Sequence, residues 1–397
     1  MTSIALEAEL TEEERAVRET VHKFAAEVMR PAGIELDAMP DPADVIAKDS
    51  ILWDVFDKYH ALGLEDPEAA GGLTPVQQAR LRAIVAEELG WGDSGLAVSF
   101  GVNGFPRNMA LMSGKPELVE RFGRPDIIGC WAITEPDHGS DQIVYATSPD
   151  LETLGKPNCI ARKDGDAYVV SGQKAAWVSN GTIAEAAALF CAVDDGDGIK
   201  GVGGFVVSLD EPGVTRGKPL DKIGQRALNQ GEIFFDGLRV PADYLVVAPE
   251  IYALGGKLGL TQANSGMGAS FVGVAQAAFE LALDYAKERV QGGVPIFQHQ
   301  SVKARLFEMF RKVEAARSLA RRVSMNNAVN PGQLQYAIAS KVTSTNTAFE
   351  VASDALQIFG GNGLSREYPI EKLMTERRSM IEDGCNDVLS LSGADEL

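Results

Sequence analysis

Trp131-Ala132-Ile133-Thr134-Glu135-Pro136-Asp137-His138-Gly139-Ser140-Asp141 marks the place where the chain changes period. Its first residues read as a short strand and its last as a polar loop dense in hydrogen-bonding side chains. A turn held by Ser and Asp side chains is the plain reading; a ligand-facing loop is the functional one. Before it, from about residue 9 to 125, the pattern is helical. Thr11-Glu12-Glu13-Glu14 predicts a capping box, and Val17, Val21, Phe24 and Val28 follow at helical spacing on one buried face. Further helices are expected over about 75–90 and 104–122.

After it, from about 127 to 245, short β-favouring runs take over: Tyr168-Val169-Val170, Ala188-Leu189-Phe190, Phe205-Val206-Val207 and Ile233-Phe234-Phe235. Turn clusters such as Asp194-Asp195-Gly196-Asp197-Gly198 separate them, with no helices between, which predicts an antiparallel barrel or sandwich. From about 255 helical periodicity returns. One segment spans about 258–290. A second carries Val302, Leu306, Met309, Val313, Ala316 and Leu319 on one face. A third carries Ala348, Val351, Ala355 and Ile358 and stops at Gly360-Gly361. Long amphipathic helices with short connections predict a bundle.

With 397 residues the chain exceeds what one core usually serves. Lys plus Arg is 37 against 56 Asp plus Glu, a formal net charge of −19, which disfavours a nucleic-acid surface and anchoring to anionic lipid. The four cysteines are widely spaced and the four histidines lack metal-ligand spacing, so a disulfide framework and a histidine metal site are not expected. No stretch reads as a membrane span or signal peptide, and a cytoplasmic enzyme is expected. No Gly-rich phosphate loop joins a strand to a helix, so neither a Rossmann nor a P-loop site is expected.

Three further segments carry candidate chemistry. In Gly172-Gln173-Lys174-Ala175-Ala176-Trp177-Val178-Ser179-Asn180-Gly181, Trp177 and Ser179 alternate along a strand and share a side. An indole and a hydroxyl there could hold a planar heterocycle; a core tryptophan beside a turn fits as well. Gln357-Ile358-Phe359-Gly360-Gly361-Asn362-Gly363 is either a ligand-approach site or a plain helix cap. Met380-Ile381-Glu382-Asp383-Gly384-Cys385-Asn386-Asp387 is either a pocket acid or a solvated acidic loop.

Taken in order, these segments resemble the acyl-CoA dehydrogenase family over nearly the whole chain. ITEPDHGSD is similar to the family's T-E-P-x-x-G-S-D loop, and KAAWVSNG to its K-x-W-I-T-N-G strand. Lys222-Ile223-Gly224-Gln225-Arg226 to Arg239-Val240-Pro241 resembles the segment closing the β domain. QIFGGNGLSREYPIEKLM resembles the C-terminal Q-I-x-G-G-x-G signature. The resemblance implies a mostly helical α+β fold around one FAD. A helical domain (1–126), a middle antiparallel β domain (127–246) and a C-terminal four-helix bundle (247–397) are expected, usually as a homotetramer with FAD shared across an interface.

The resemblance also assigns roles. Trp131, Ile133, Thr134, Gly139 and Ser140 would line the flavin and pyrophosphate. Trp177 would cover one flavin face and Ser179 would approach N5. Arg289, His299, Gln300, Gln357 and Gly361 would reach the neighbouring subunit's FAD, with Arg289 on the pyrophosphate. Gly292 stands where the family often has Phe. Cys385 and Asp387 are further cofactor candidates; Ser140 and Gly384 would touch substrate. The implied reaction takes the α-proton of an acyl-CoA thioester onto a carboxylate and the β-hydride onto the flavin, with electrons passing on to an electron-transferring flavoprotein.

The base of most members is the Glu of Glu-Gly-Thr; here the triplet is Asp383-Gly384-Cys385, with one residue fewer before it and Glu382 as rival. Where other members carry the base on the helix that opens the bundle, this chain has Ala263-Asn264 and no carboxylate. An Asp carboxylate lies about 1.5 Å nearer its backbone than a Glu carboxylate. That favours a branched or cyclic acyl group or an advanced loop. A flavin oxidase acting on nitroalkanes and a non-catalytic relative are the competing readings.

Overall fold

The computed structural model describes residues 10–64, 72–142, 157–376 and 384–397. Glu382 and Asp383 lie outside the described residues.

Helix α1 (Glu12–Phe24) starts at the expected capping box. The Glu14 N–H donates to Thr11 Oγ1 (3.2 Å) and the Thr11 N–H to Glu14 Oε2 (2.9 Å), which satisfies two otherwise open donors. A π turn at Ala25–Met29 carries the chain into α2 (Arg30–Ala38). Short α3 (Pro42–Val45) and α4 (Ile51–His60) follow, then α5 (Pro75–Gly92), α6 (Ser94–Ser113) and α7 (Pro116–Phe122). The single helix expected over 104–122 is thus two helices. Asp93 caps α6 through its carboxylate on the Leu96 N–H (2.8 Å), and Gly114 ends it at φ +64°. That left-handed cap is a common helix stop, and the helical spacing on either side hides it. The core of this domain centres on Phe100, stacked on Tyr59 at 3.9 Å and met edge-on by Phe56 at 5.4 Å.

The middle domain is an eight-stranded sheet. Its strands are β1 (Gly129–Ala132), β2 (Ile160–Asp164), β3 (Ala167–Ser179), β4 (Ala186–Asp194), β5 (Ile199–Ser208), β6 (Val214–Arg216), β7 (Gln230–Pro241) and β8 (Leu245–Val247). The order is β6-β7-β3-β2-β4-β5-β8, and β1 also pairs with β4. All four apolar runs named from sequence lie in strands. Most ladders are antiparallel as expected, but β1 and β2 both run parallel to β4. They share its edge end to end: Ala132 pairs with Leu189 and Ile160 with Ala192. Neither strand pairs with Phe190 or Cys191, so β1 ends and β2 begins on either side of them.

The third domain is built on α8 (Tyr252–Glu288), α9 (Gln300–Val329) and α10 (Leu334–Phe359), with short α11 (Ile370–Thr375) and α12 (Asn386–Ala394). The stripe residues Leu306, Met309, Val313 and Ala316 on α9, and Ala348, Val351, Ala355 and Ile358 on α10, are buried. Helices α5 and α8 approach to backbone contact. A Cβ on Gly273 would lie 1.9 Å from the Glu87 carbonyl, and one on Gly90 would lie 2.0 Å from that of Ser270. Between α8 and α9, β9 (Val290–Gln291) and β10 (Val294–Pro295) form a hairpin turned by Gly292 (φ +65°) and Gly293 (φ +84°). Positive φ at both central positions is the I′ turn, which explains glycine rather than an aromatic at 292.

Candidate functional site

The ITEPDHGSD loop follows β1, and a buried ion pair fixes it. Glu135 and Lys174, with side chains 1% and 0% exposed, meet at 2.6 Å (Oε1 to Nζ). Lys174 Nζ also donates to the Ile133 carbonyl (3.1 Å). The Glu135 carboxylate accepts the N–H of Asn158 (2.5 Å) and of Cys159 (3.2 Å). One pair thus ties the loop to β3 and to the entry of β2. The tip is an ordinary polar turn: Asp141 accepts the Gly139 N–H (2.7 Å) and faces His138 Nδ1 (2.8 Å).

Opposite the loop, β3 breaks its ladder. Pairing with β7 slips once between Val170 and Ser171, continues through Lys174–Ile233 and resumes at Val178–Gly231, so Ala175, Ala176 and Trp177 bulge out. The freed Ala175 N–H donates to the Thr134 carbonyl (2.9 Å). Bulges re-aim side chains, and this one leaves the Trp177 indole 56% exposed, a large apolar plane facing outward. Ser179 is half-buried, and its Oγ accepts Gln230 Nε2 (3.1 Å), so its own proton is available to donate outward. Asn180 is buried at φ +62° and donates to Ser99, Asn103 and Gly129 oxygens at 2.9–3.1 Å, which closes the strand onto α6 and β1.

Trp131 is half-buried, stacked on Phe105 (4.8 Å, 19°) and edge-on to Phe190 (6.5 Å). Its Nε1 is buried without a hydrogen-bond partner among the described residues. Such an indole N–H costs stability unless something accepts from it. Ile133, Thr134 and Ser140 are half-buried and Gly139 is exposed, with nothing within 4 Å of a Cβ built there.

The second expected group lies at one end of the bundle. Tyr285 stacks on Phe359 (4.0 Å, 16°), and Asn362 Nδ2 donates to the Tyr285 hydroxyl (2.9 Å), so the ends of α8 and α10 are held together. Around them Arg289, His299, Gln300, Gln357 and Gly361 are all exposed. His299 Nε2 bonds the Gln291 carbonyl (3.0 Å); a carbonyl only accepts, so this nitrogen carries the proton. The third group sits at the start of α12. Gly384 is buried at φ +89°, Cys385 is the half-buried N-cap and Asp387 is exposed in the first turn.

Sequence reasoning missed Glu135, Lys174, Asn180 and Lys341. The first three lie inside the segments singled out from sequence; a lysine within the β-type run of β3 was the available signal. Lys341 falls on the buried stripe of α10, at helical spacing from Ala348, Val351 and Ala355, and is 0% exposed.

The N-terminal, middle and C-terminal domain families of acyl-CoA dehydrogenase match residues 11–125, 130–238 and 258–397. Cyclohex-1-ene-1-carbonyl-CoA dehydrogenase of Syntrophus aciditrophicus is 31% identical, over 96% of this chain and 88% of its own. The bovine mitochondrial short-chain specific acyl-CoA dehydrogenase is 29% identical, over 98% and 91%. Butyryl-CoA dehydrogenase of Megasphaera elsdenii superposes with TM-score 0.83 at 26% identity, covering 97% of this chain and 98% of that one. Three domains matched in order and a relative of this identity along the whole length place the chain in the acyl-CoA dehydrogenase family.

Proposed function

We propose that this enzyme, which acts on acyl-CoA with FAD as cofactor, carries out α,β-dehydrogenation of a cyclic or branched acyl-CoA with Asp383 as the α-proton base. The observation that carries the flavin site is the β3 bulge pinned to Thr134. It presents an exposed indole and, two residues on, a hydroxyl free to donate. These features fit FAD: a plane to cover a ring system, a donor for its edge, and an open backbone at Gly139. When bound, FAD supplies the two-electron acceptor. Trp177 would cover the ring, Ser179 would donate to its edge, and Thr134 and Ser140 would bind its polar rim.

Arg289 is exposed, without an ion-pair partner among the described residues, and so available for the pyrophosphate. We place Arg289, His299, Gln300, Gln357 and Gly361 on the FAD of a second copy in a homotetramer. Exposed Val290 (53%) and Phe307 (66%) at the same end of the bundle support a covered surface there. Cys385 and Asp387 sit at the start of α12, next to the base, and complete the cofactor contacts; Gly384 and Ser140 border the acyl thioester.

The cyclic or branched preference rests on aspartate in place of glutamate and on the likeness to a cyclohexenoyl-type dehydrogenase. Asn264, at the alternative base position, is buried and not a carboxylate, which leaves Asp383 and Glu382. An anaerobic panel of straight, branched and cyclic acyl-CoAs scored by flavin bleaching tests the substrate. Cyclic or branched esters are expected to bleach fastest. Bleaching only by nitroalkanes, with peroxide formed in air, would replace this reading by an oxidase. Asp383→Asn is expected to abolish bleaching with FAD retained. Loss on Glu382→Gln instead would move the base by one residue. Electron-transferring flavoprotein is the acceptor we expect to reoxidise the enzyme.

A further inference from the structure

Gln230 opens β7 directly across from Ser179, so the two side chains share one face of the sheet. Gln230 is 2% exposed. Its amide nitrogen donates to Ser179 Oγ (3.1 Å) and to the Trp177 carbonyl (3.3 Å). One buried side chain thus holds both residues that would meet the flavin. Behind it Lys222, also buried, donates from Nζ to Gln230 Oε1 (3.1 Å) and to the Leu228 carbonyl. The ammonium decides which way the amide lies. It has donors only, so the amide oxygen must face it and the amide NH2 must face Ser179. A flipped amide would set its NH2 against a buried ammonium and its oxygen against the Trp177 carbonyl, and both contacts are costly. Ser179 Oγ is therefore an acceptor on its inner side, and its single proton is left to point outward.

We propose that Gln230 is a positioning residue for the donor at the flavin edge: oriented by Lys222, it commits the Ser179 hydroxyl to donate outward. The inference rests on Ser179 donating to the edge of FAD, as proposed above. A hydroxyl without such a neighbour rotates, and it can spend its proton on the Trp177 carbonyl instead. The fixed polarity from Lys222 through Gln230 to Ser179 removes that choice before the cofactor arrives. A donor that needs no reorientation acts at full strength in a site poor in water. Because the same amide grips the Trp177 carbonyl, it also ties the bulge that carries the indole to the hydroxyl two residues on.

The test is a double-mutant cycle of Gln230→Met and Ser179→Ala in the FAD-loaded enzyme. Each variant is compared by its flavin absorption spectrum, by FAD release on dilution, and by the limiting rate of anaerobic reduction with the wild type's best acyl-CoA. Gln230→Met keeps the side chain's length and removes its amide. It is expected to shift the flavin spectrum in the same direction as Ser179→Ala and to lower the limiting rate about fivefold, the worth of one hydrogen bond. Substrate KM should hold. Adding it to Ser179→Ala should change neither the spectrum nor the rate further. Full additivity in the cycle overturns the proposal, as does a wild-type spectrum and rate in Gln230→Met. If Gln230→Met does not fold, Gln230→Glu carries the test. Beside Lys222 its carboxylate stays ionised and presents only acceptors, so the Ser179 proton turns inward. A loss at least as large as that of Ser179→Ala is then expected, and an unchanged rate and spectrum refute the device. Ser179→Ala alone separates the two readings. If its spectrum and rate match wild type, the flavin-edge reading fails and the proposal with it; if it is impaired while Gln230→Met is not, only the positioning role fails.

Discussion

Replacing Glu135 by Ala strips the partner from a lysine with no solvent exposure, 2.6 Å away across the β1–β3 gap. Removing one member of a buried pair costs about 3–5 kcal/mol, because the remaining charge has no water to turn to. The substitution also leaves the Asn158 and Cys159 N–H groups without their acceptor, each worth about 1 kcal/mol or more. The expected loss is therefore about 5 kcal/mol, a large share of the roughly 5–15 kcal/mol that holds a typical fold. Lys174→Met should cost less, about 3 kcal/mol, since the orphaned carboxylate keeps its two backbone N–H donors. In a cycle of Glu135→Leu, Lys174→Met and their combination, the double variant should lose less than the sum of its two singles, with a coupling of about 2 kcal/mol or more, as expected for an apolar pair filling the same space. Urea unfolding followed by tryptophan fluorescence gives these values, and FAD content of the folded variants reports the loop that carries Thr134 and Ser140. A Glu135→Ala variant within about 1 kcal/mol of wild type, or singles that add up in the double, would refute the claim that this pair is dry and holds the loop.

Gly273→Val drives a side chain into the Glu87 carbonyl, 1.9 Å from the nearest possible Cβ, so α5 and α8 must part; circular-dichroism melts should show a loss of several kcal/mol, about 3 or more. Burial pushes the Glu376 carboxyl up to about 7, against the pull of Lys372 and with Asp93 adding repulsion. A carboxyl raised in the folded state stabilises below its unfolded value and loses that contribution as pH rises through about 7, so Glu376→Gln should flatten the decline between pH 4.5 and 7 and raise stability above it. Unfolding free energies at several pH values check the slope; an unchanged slope removes the assignment. Arg289→Ala should lower FAD retention on gel filtration by about tenfold, the loss of one bidentate phosphate contact, and an unchanged FAD content removes Arg289 from the pyrophosphate.

What the sequence made legible followed from period and caps. The capping box at Thr11, the four apolar strand runs and the two bundle stripes depend on neighbours within a few residues, and each is found where expected. The split at Gly114 was hidden because the spacing continues across it, while the stop depends on one φ value. The parallel pairing of β1 and β2 with β4 was hidden because it joins segments distant in sequence: Gly129 pairs with Ala186 and Ile160 with Ala192. The polar loop and the Trp177–Ser179 strand were visible as candidates, yet the reason they meet was not. That reason is an ion pair and a bulge that form only when β1, β2 and β3 are side by side. Lys341 shows the same limit: a lysine on an apolar stripe is a flag, and its acceptors lie more than forty residues further on.

The base candidates lie between two anchors that are themselves charged and buried. On the near side Lys372 bridges Asp93 (2.8 Å) and Glu376 (3.2 Å), all three less than 9% exposed. Asp93 uses its other oxygen to cap α6, and α2 can approach it only because position 33 is glycine, whose Cβ would lie 2.1 Å from the carboxylate. The last residue before the segment is thus tied to the N-terminal domain. On the far side Lys341 ties Gly384 to α10. The residues on either side of 377–383 are thus held by two different domains, and that stretch of sequence holds one residue fewer than the pattern it resembles. Shortening a span between fixed ends shifts the backbone within it, whereas a span with a free end would absorb the change. An aspartate reaches about 1.5 Å less than glutamate, and we propose that the shorter span and the shorter side chain compensate each other. Restoring the lost methylene by Asp383→Glu should then overshoot and slow the enzyme. Adding the missing residue before position 383 together with Asp383→Glu should recover more activity than either change alone. If Asp383→Glu by itself is as fast as wild type, the shorter span and the shorter side chain do not compensate each other.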